Sequence, residues 1–116
     1  MTEKELQQLS YEVASILKMD KELLLLYGKM VVEARAFTRE EILELSSGRN
    51  KNIIDEMLAS GLVILARDKY QPVHPRLGFS NLYRLALQKD MAVKADRNRI
   101  DTIIAYFVKR WEEALG

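Results

Sequence analysis

The chain has 116 residues, of which 48% are hydrophobic and 30% are charged, and its formal net charge is +1 at pH 7. This length and composition are typical of one soluble globular domain, and the near-neutral charge creates no overall basic field for nucleic acid. The lack of cysteine excludes disulfides and thiolate metal sites, and no apolar run approaches the roughly 20 residues of a membrane span. We therefore expect a cytoplasmic protein without a membrane partner.

Two helices are predicted at the start of the chain. From Glu3 to Lys18, apolar residues recur at spacings of three and four, which indicates a helix with one apolar stripe. Asp20 is a suitable N-cap for a second helix, from about Lys21 to Arg35. The apolar face of this second helix is wide, so we expect it to be buried on more than one side and to form the centre of the domain.

Two short helices follow. The capping-box sequence Thr38-x-x-Glu41 predicts the start of a helix over Arg39 to Leu45, and Ser46-Ser47-Gly48 then predicts a turn. A second short helix is expected from about Asn50 to Ser60. Gly61 stands where a helix C-cap glycine is expected.

A change of period after Gly61 predicts a β-hairpin. Leu62 to Leu65 is a run of strand-forming residues, Ala66 to Lys69 is polar, and Tyr70 to Pro75 is expected to return as the second strand. The return segment contains both prolines of the chain, which confines it to an edge position because proline lacks a backbone donor.

The C-terminal part is predicted to be helical again. Ser80 is expected to cap one helix, and a long one-sided apolar stripe predicts another from about Lys94 to Leu115. The sequence thus predicts a mainly α fold with a small β-hairpin. We divide it into an N-terminal helix over residues 1–20, a central domain over 21–90 and a C-terminal helix over 91–116.

The central part of the chain resembles a known family in the order and spacing of its elements. The resemblance rests on Thr38–Ile42, Ser46–Lys51, Met57–Val63 and Tyr70–Pro75. Over about half the chain, these segments are similar to the winged helix-turn-helix regulators of the TrmB and MarR type, with the archaeal TrmB-like proteins most similar. The resemblance implies a hairpin wing and double-stranded DNA bound by a dimer. It places the recognition helix on Arg49 to Glu56. No segment corresponds to the C-terminal effector domain of TrmB proteins, so a small-molecule effector stays open.

The start of the predicted recognition helix carries side chains that suit base edges. Arg and Lys bond guanine and Asn pairs with adenine in the major groove, and four such residues stand together: Arg49, Asn50, Lys51 and Asn52. The alternative is an ordinary polar helix start. Asp55 and Glu56, further along the same helix, disfavour contact with the DNA backbone.

Basic residues outside that helix are candidates for phosphate contacts. Arg67 and Lys69 flank the hairpin tip, and Arg39 lies in the first turn of its helix. The alternative at the tip is a solvated charged turn. The segment from Thr38 to Gly61 carries three basic and five acidic residues, so the expected DNA-binding part of the chain is not basic as a whole.

No signature of an enzyme, metal site or cofactor is present. The chain lacks a glycine-rich phosphate loop and a nucleophile with a plausible base, so no catalytic residue is predicted. His74, the single histidine, has no cysteine or second histidine to share a metal with, and we interpret it as structural. Aromatic residues around Trp111 are interpreted as core or interface rather than as a ligand pocket.

The apolar stripes of the terminal helices exceed what a small central domain needs to cover itself. They pack either on each other within one chain or across a symmetric homodimer, and we favour the dimer. The residues expected at its interface are Leu6, Leu9, Val13, Ile16, Ile100, Ile104, Phe107, Val108 and Trp111. The function predicted is that of a DNA-binding transcriptional regulator. The alternative is a winged helix that contacts protein within a larger assembly; RNA binding lacks an aromatic stacking platform.

Overall fold

A computed structural model of the chain describes residues 3–47, 52–89 and 97–116. Within them, six helices and one two-stranded hairpin follow in this order: α1 (Glu3–Leu17), α2 (Lys21–Glu33), α3 (Arg39–Leu45), α4 (Ile53–Ala59), β1 (Val63–Ala66), β2 (Lys69–Pro72), α5 (Pro75–Lys89) and α6 (Arg97–Leu115). The prediction of a mainly helical chain with a small hairpin is confirmed.

Helix α2 is the centre of the fold, as its wide apolar face predicted. It is buried over most of its length and packs against α1, α6, α3, α4 and β2. Gly28 permits the close approach of α1, because a Cβ atom at this position would lie 2.8 Å from the hydroxyl of the buried Ser10. Asp20 caps α2 as expected, since its side chain accepts a hydrogen bond from the backbone N–H of Glu22.

A buried tyrosine joins α2 to the segment that follows the hairpin. The Tyr27 hydroxyl donates a hydrogen bond of 2.8 Å to the backbone carbonyl of Val73. Burial raises the pKa of this phenol, so the hydroxyl stays protonated as a donor. Gly78 of α5 lies against the same ring, because a Cβ there would stand 2.1 Å from the Tyr27 oxygen. The start of α5 is therefore fixed against α2.

The ends of α3 and α4 follow the local signals of the sequence. The Thr38 side chain accepts from the N–H of Glu41 while the Glu41 carboxylate accepts from the N–H of Thr38, so the predicted capping box is present. Gly61 adopts a left-handed φ of 71° just after α4. The N–H groups of Gly61 and Leu62 donate to the carbonyls of Leu58 and Met57, which closes the helix in a Schellman motif.

The hairpin is closed by a two-residue turn. Ala66 pairs with Lys69, and Arg67 and Asp68 between them both have left-handed φ, at 52° and 67°. Phe37, just before α3, pairs with Tyr70 of β2 through two backbone hydrogen bonds of 2.8 and 2.7 Å. Strand β2 therefore lies between Phe37 and β1, and β1 is at the edge.

Several predicted boundaries are wrong. Helix α2 ends at Glu33 rather than about Arg35, and helix α4 begins at Ile53 rather than about Asn50, since Asn52 lies in a turn before it. Strand β2 ends at Pro72 rather than Pro75, and the next helix begins at Pro75, so Ser80 lies inside α5 and does not cap it. Proline suits the first turn of a helix, where its missing N–H has no partner to lose. The free N–H groups of this turn are satisfied by His74, whose carbonyl accepts from Leu77 and Gly78 and whose Nδ1 accepts from Arg76.

The terminal helices belong to the same core as the central part. Both α1 and α6 pack on α2, and an ion pair between Arg99 and Glu12 joins them to each other. The hydrogen bonds from Arg99 hold the pKa of Glu12 below its ordinary value. Five residues expected at a dimer interface are buried within one chain: Leu6, Val13, Ile100, Phe107 and Val108. The other four are half-buried: Leu9, Ile16, Ile104 and Trp111.

Candidate nucleic-acid interface

The described residues expected to contact DNA lie in α3, immediately before α4 and at the hairpin tip. Arg39 is exposed in the first turn of α3, and Asn52 is exposed immediately before α4. Arg67 and Lys69 are both exposed at the tip. The remaining three candidates, Arg49, Asn50 and Lys51, lie outside the described residues.

The pairing of Phe37 with Tyr70 relates α3 to the hairpin. Arg39 follows Phe37 by two residues, and Lys69 precedes Tyr70 by one. The bridge therefore brings the start of α3 beside the outer end of β2. Two cations that are 30 positions apart in sequence belong to neighbouring segments of the surface.

The acidic residues before and within α3 are partly neutralised by Arg35. Its guanidinium pairs with Glu33 at 3.1 Å and with Glu41 at 3.0 Å, and it lies 3.9 Å from the centre of the Phe37 ring. The pKa of Glu41 is lowered, first by the hydrogen bond from the Thr38 N–H and also by Arg35. Glu41 thus has a structural role, and counting it against DNA binding overstates the negative charge of this surface.

The described part of α4 exposes an acidic and apolar face. Ile53, Ile54 and Met57 point into the core, which leaves Asp55 and Glu56 exposed in the first turn. Leu58 is also exposed on this helix, at 37% of its surface. Helix α4 itself contains no basic residue, and the nearest ones in the sequence are Arg49 and Lys51, before Asn52.

The hairpin exposes two large aliphatic side chains. Ile64 and Leu65 are 55% and 56% exposed, whereas Val63 at the base of the same strand is 2% exposed. The sequence predicts one strand from Leu62 to Leu65 and gives no sign that only the second half of this run is exposed. The exposed half lies directly before the basic tip.

Asn81 positions the hairpin and was missed from sequence. Its side-chain amide donates a hydrogen bond of 2.9 Å to the carbonyl of Gly61, at the junction of α4 and β1. The contact is tight, because a Cβ at Gly61 would lie 2.5 Å from the Asn81 nitrogen. The available signal was an asparagine within a helix, where this residue is unfavourable unless its side chain bonds elsewhere.

His74 has the structural role that the sequence indicated. Besides accepting from the Arg76 N–H, its ring stands edge-on to Trp111 of α6, with 5.7 Å between ring centres. Among the described residues, no group of three or more His, Cys, Asp or Glu side chains is placed to hold a metal ion.

Comparisons of the chain with protein-family models, with curated proteins and with solved structures gave no match. In the described ranges, no helix combines the length and the apolar character needed to cross a membrane.

Proposed function

We propose that the chain is a winged helix-turn-helix protein that binds double-stranded DNA as a transcriptional regulator. The observation that carries the proposal is the order and pairing of its elements: helix α2, the short strand at Phe37, α3, α4 and then a hairpin whose second strand pairs with Phe37. A helix pair followed by a hairpin in this order presents its second helix to a DNA groove and the hairpin to the backbone beside it. The resemblance to TrmB and MarR regulators points in the same direction.

Each candidate side chain has a distinct role in this proposal. Arg49, Asn50, Lys51 and Asn52, which directly precede α4 in the sequence, meet base edges. Arg39, Arg67 and Lys69 bind phosphates, a contact that fixes position on the duplex without reading its sequence. Asp55 and Glu56 are exposed acidic residues of α4, and in this proposal they lie away from the phosphate backbone, which would repel them.

The proposal includes a homodimer. Since five of the nine residues expected at the interface are buried within one chain, the dimer contact is reduced to the half-buried Leu9, Ile16, Ile104 and Trp111 with their polar neighbours. A dimer would present two hairpins and two recognition helices to successive turns of DNA. Light scattering tests this directly, and a mass of 13.4 kDa at micromolar concentration would contradict it.

A protein partner is the second candidate. The observation that favours it is the exposure of Leu58 on α4, the helix of Asp55 and Glu56, and of Ile64 and Leu65 on β1, which contacts α4. Exposed aliphatic groups favour a protein contact, and acidic side chains repel phosphate. In that case the same fold would act within a larger assembly without touching DNA.

A salt series distinguishes the two candidates. We expect binding to random duplex DNA to weaken as salt rises, because each phosphate contact releases a bound counterion. Replacing both Arg67 and Lys69 by Ala should reduce the slope of log K against log salt by roughly 2, about 0.9 for each lost contact.

The control is a double variant of the same charge, Lys4→Ala with Lys109→Ala, which removes two exposed cations from α1 and α6. We expect its slope to equal that of the unmodified chain. If both double variants change the slope equally, the hairpin tip is not a specific contact. If no binding is measurable at low salt, DNA is not the ligand and the protein-partner candidate takes its place.

A further inference from the structure

The backbone of Leu65 faces away from the hairpin. The N–H and C=O groups of Tyr70 both bond Phe37, on the side of β2 opposite to β1. In an antiparallel pair, directly opposed residues either exchange both hydrogen bonds or both point outward. Leu65 is directly opposite Tyr70, so its own N–H and C=O point to the outer edge of β1.

This outer edge is open over a short stretch. Leu65 and Ile64 are more than half exposed, while Val63, the next residue with outward-facing backbone groups, is covered. Among the described residues, none bonds the outward backbone groups of Leu65. Strand β1 also has no charged residue and no proline, the features that usually prevent an edge strand from pairing with another chain.

We propose that this edge pairs with the same edge of a second copy, antiparallel and about a two-fold axis through Leu65. One outward N–H and one outward C=O are satisfied reciprocally by a copy of themselves. In this register Ile64 lies opposite Ala66 of the other copy, and Val63 lies opposite its Arg67. Arg67 and Asp68 of the second copy form its hairpin turn and leave the sheet at this point. The pairing therefore ends before it reaches Val63 of the first copy, where the edge is covered.

The same geometry favours a second copy over a longer extended peptide. A longer peptide strand would have to continue past Ile64 to Val63, where the edge is covered. The strand of a second hairpin ends at its own turn and does not reach Val63. The charges are also compatible, because the antiparallel arrangement places the Arg67–Lys69 tips of the two copies at opposite ends of the joined sheet. Apolar Ile64 and Leu65 side chains fill the region between them.

The contact is expected to be weak. Three residues from each copy bury far less than the roughly 1,200 Å² of a stable interface, so we expect a dissociation constant on the order of 1 mM. Two copies on one DNA duplex, which rests on the proposed function, would be held at a much higher local concentration, and the same contact would then make their binding cooperative.

Disulfide crosslinking without DNA tests the register. The chain has no native cysteine, so Leu65→Cys and Ile64→Cys each introduce one thiol, and the two positions are equally exposed. Across the proposed axis, the Cα atoms of position 65 in the two copies lie about 5.5 Å apart, within the Cα–Cα range of a disulfide. The Cα atoms of position 64 in the two copies lie about 8 Å apart, which is too far for a disulfide. At protein concentrations on the order of 1 mM, we expect Leu65→Cys to form covalent dimers roughly tenfold faster than Ile64→Cys.

Equal rates, or no dimer from Leu65→Cys, would overturn the proposal. A second measurement uses the unmodified chain: the backbone amide resonances of Leu65 and Ala66 should shift with protein concentration. Leu65→Pro removes the outward N–H together with the leucine side chain and should abolish the shift at Ala66, while the residues that hydrogen-bond β1 to β2 are unchanged. Shifts that persist in this variant would also contradict the pairing. Neither measurement contains DNA, so both outcomes are independent of the salt series.

Discussion

The helical body formed by α1, α2, α5 and α6 differs from the surface formed by α3, α4 and the hairpin in how its residues are used. In the body, large apolar side chains are buried, and Gly28 and Gly78 stand where a Cβ atom would clash with a neighbouring helix's side chain. On the other surface, Ile64 and Leu65 are exposed, and two non-glycine residues occupy a left-handed turn. Packing explains the first region. The second carries features that folding does not require, which is typical of a surface that contacts a partner.

The contact between Gly78 and Tyr27 is the strictest test of packing in the body. Gly78→Ala would place a methyl group 2.1 Å from the hydroxyl of Tyr27, which is fully buried. We expect the free energy of unfolding to fall by about 2–4 kcal/mol, measured by urea denaturation. In a Tyr27→Phe background, which lacks the nearest atom, Gly78→Ala should cost less. An equal cost in both backgrounds would show that the clash lies elsewhere.

The hydrogen bond from Asn81 to Gly61 joins the two regions. Asn81→Ala removes it, and we expect a loss of about 1 kcal/mol in the free energy of unfolding, because the Gly61 carbonyl is left to partial hydration. Gln88→Ala, an exposed position on the same helix, should change stability by less than about 0.5 kcal/mol. If the two variants are equally stable, Asn81 does not connect the body to the hairpin.

The turn at the hairpin tip holds two non-glycine residues in a left-handed backbone conformation, and a substitution there tests whether this conformation lowers stability. Asp68 has a φ of 67°, which an L residue adopts at a cost and glycine adopts freely. We expect Asp68→Gly to stabilise the protein by about 0.5 kcal/mol, a rise in the thermal midpoint. Asp68→Ala removes the same charge without relieving the backbone, so it should give no gain. If both variants raise the thermal midpoint, the cause is the loss of the Asp68 charge rather than relief of the backbone conformation.

The capping box of α3 gives the smallest expected effect, and it depends on pH. The hydrogen bond from the Thr38 N–H and the charge of Arg35 hold the pKa of Glu41 below its ordinary value of 4.5. A carboxyl whose pKa is lowered by folding stabilises the folded state above 4.5, and this contribution is lost as pH falls through the folded-state pKa. Glu41→Gln should therefore be less stable than the unmodified chain at pH 7, and the difference should narrow in acid. A difference independent of pH would contradict this role.

Local signals in the sequence were sufficient for most elements. The capping box at Thr38, the N-cap at Asp20 and the glycine after α4 act through neighbours within four residues, so their pattern is complete in the sequence. The start of α5 was missed for the opposite reason. Ser80 carried a local capping signal, but Pro75 begins the helix because Tyr27 fixes Val73 and His74 satisfies the first turn.

The DNA-binding role of the candidate site stays a prediction. Side-chain chemistry singled out Arg39, Asn52, Arg67 and Lys69, and the structure exposes all four. Pattern alone did not reveal that Arg35 neutralises Glu41 or that Asn81 holds the base of the hairpin, because each involves a contact that is not encoded by periodicity. The exposure of Ile64 and Leu65 was likewise invisible, since a strand-forming run does not specify which part of it is covered.

By itself, the sequence determined where helices and the hairpin form, because caps, turns and apolar periodicity act over a few neighbouring residues. Tertiary structure decided what covers each apolar face. An amphipathic stripe requires burial without specifying its partner, and here α1 and α6 bury theirs largely on α2 of the same chain. The edge of β1 is the converse case: its residues favour a strand, but only the register of β1 against β2, in which Leu65 lies opposite Tyr70, leaves the backbone groups of Leu65 facing outward.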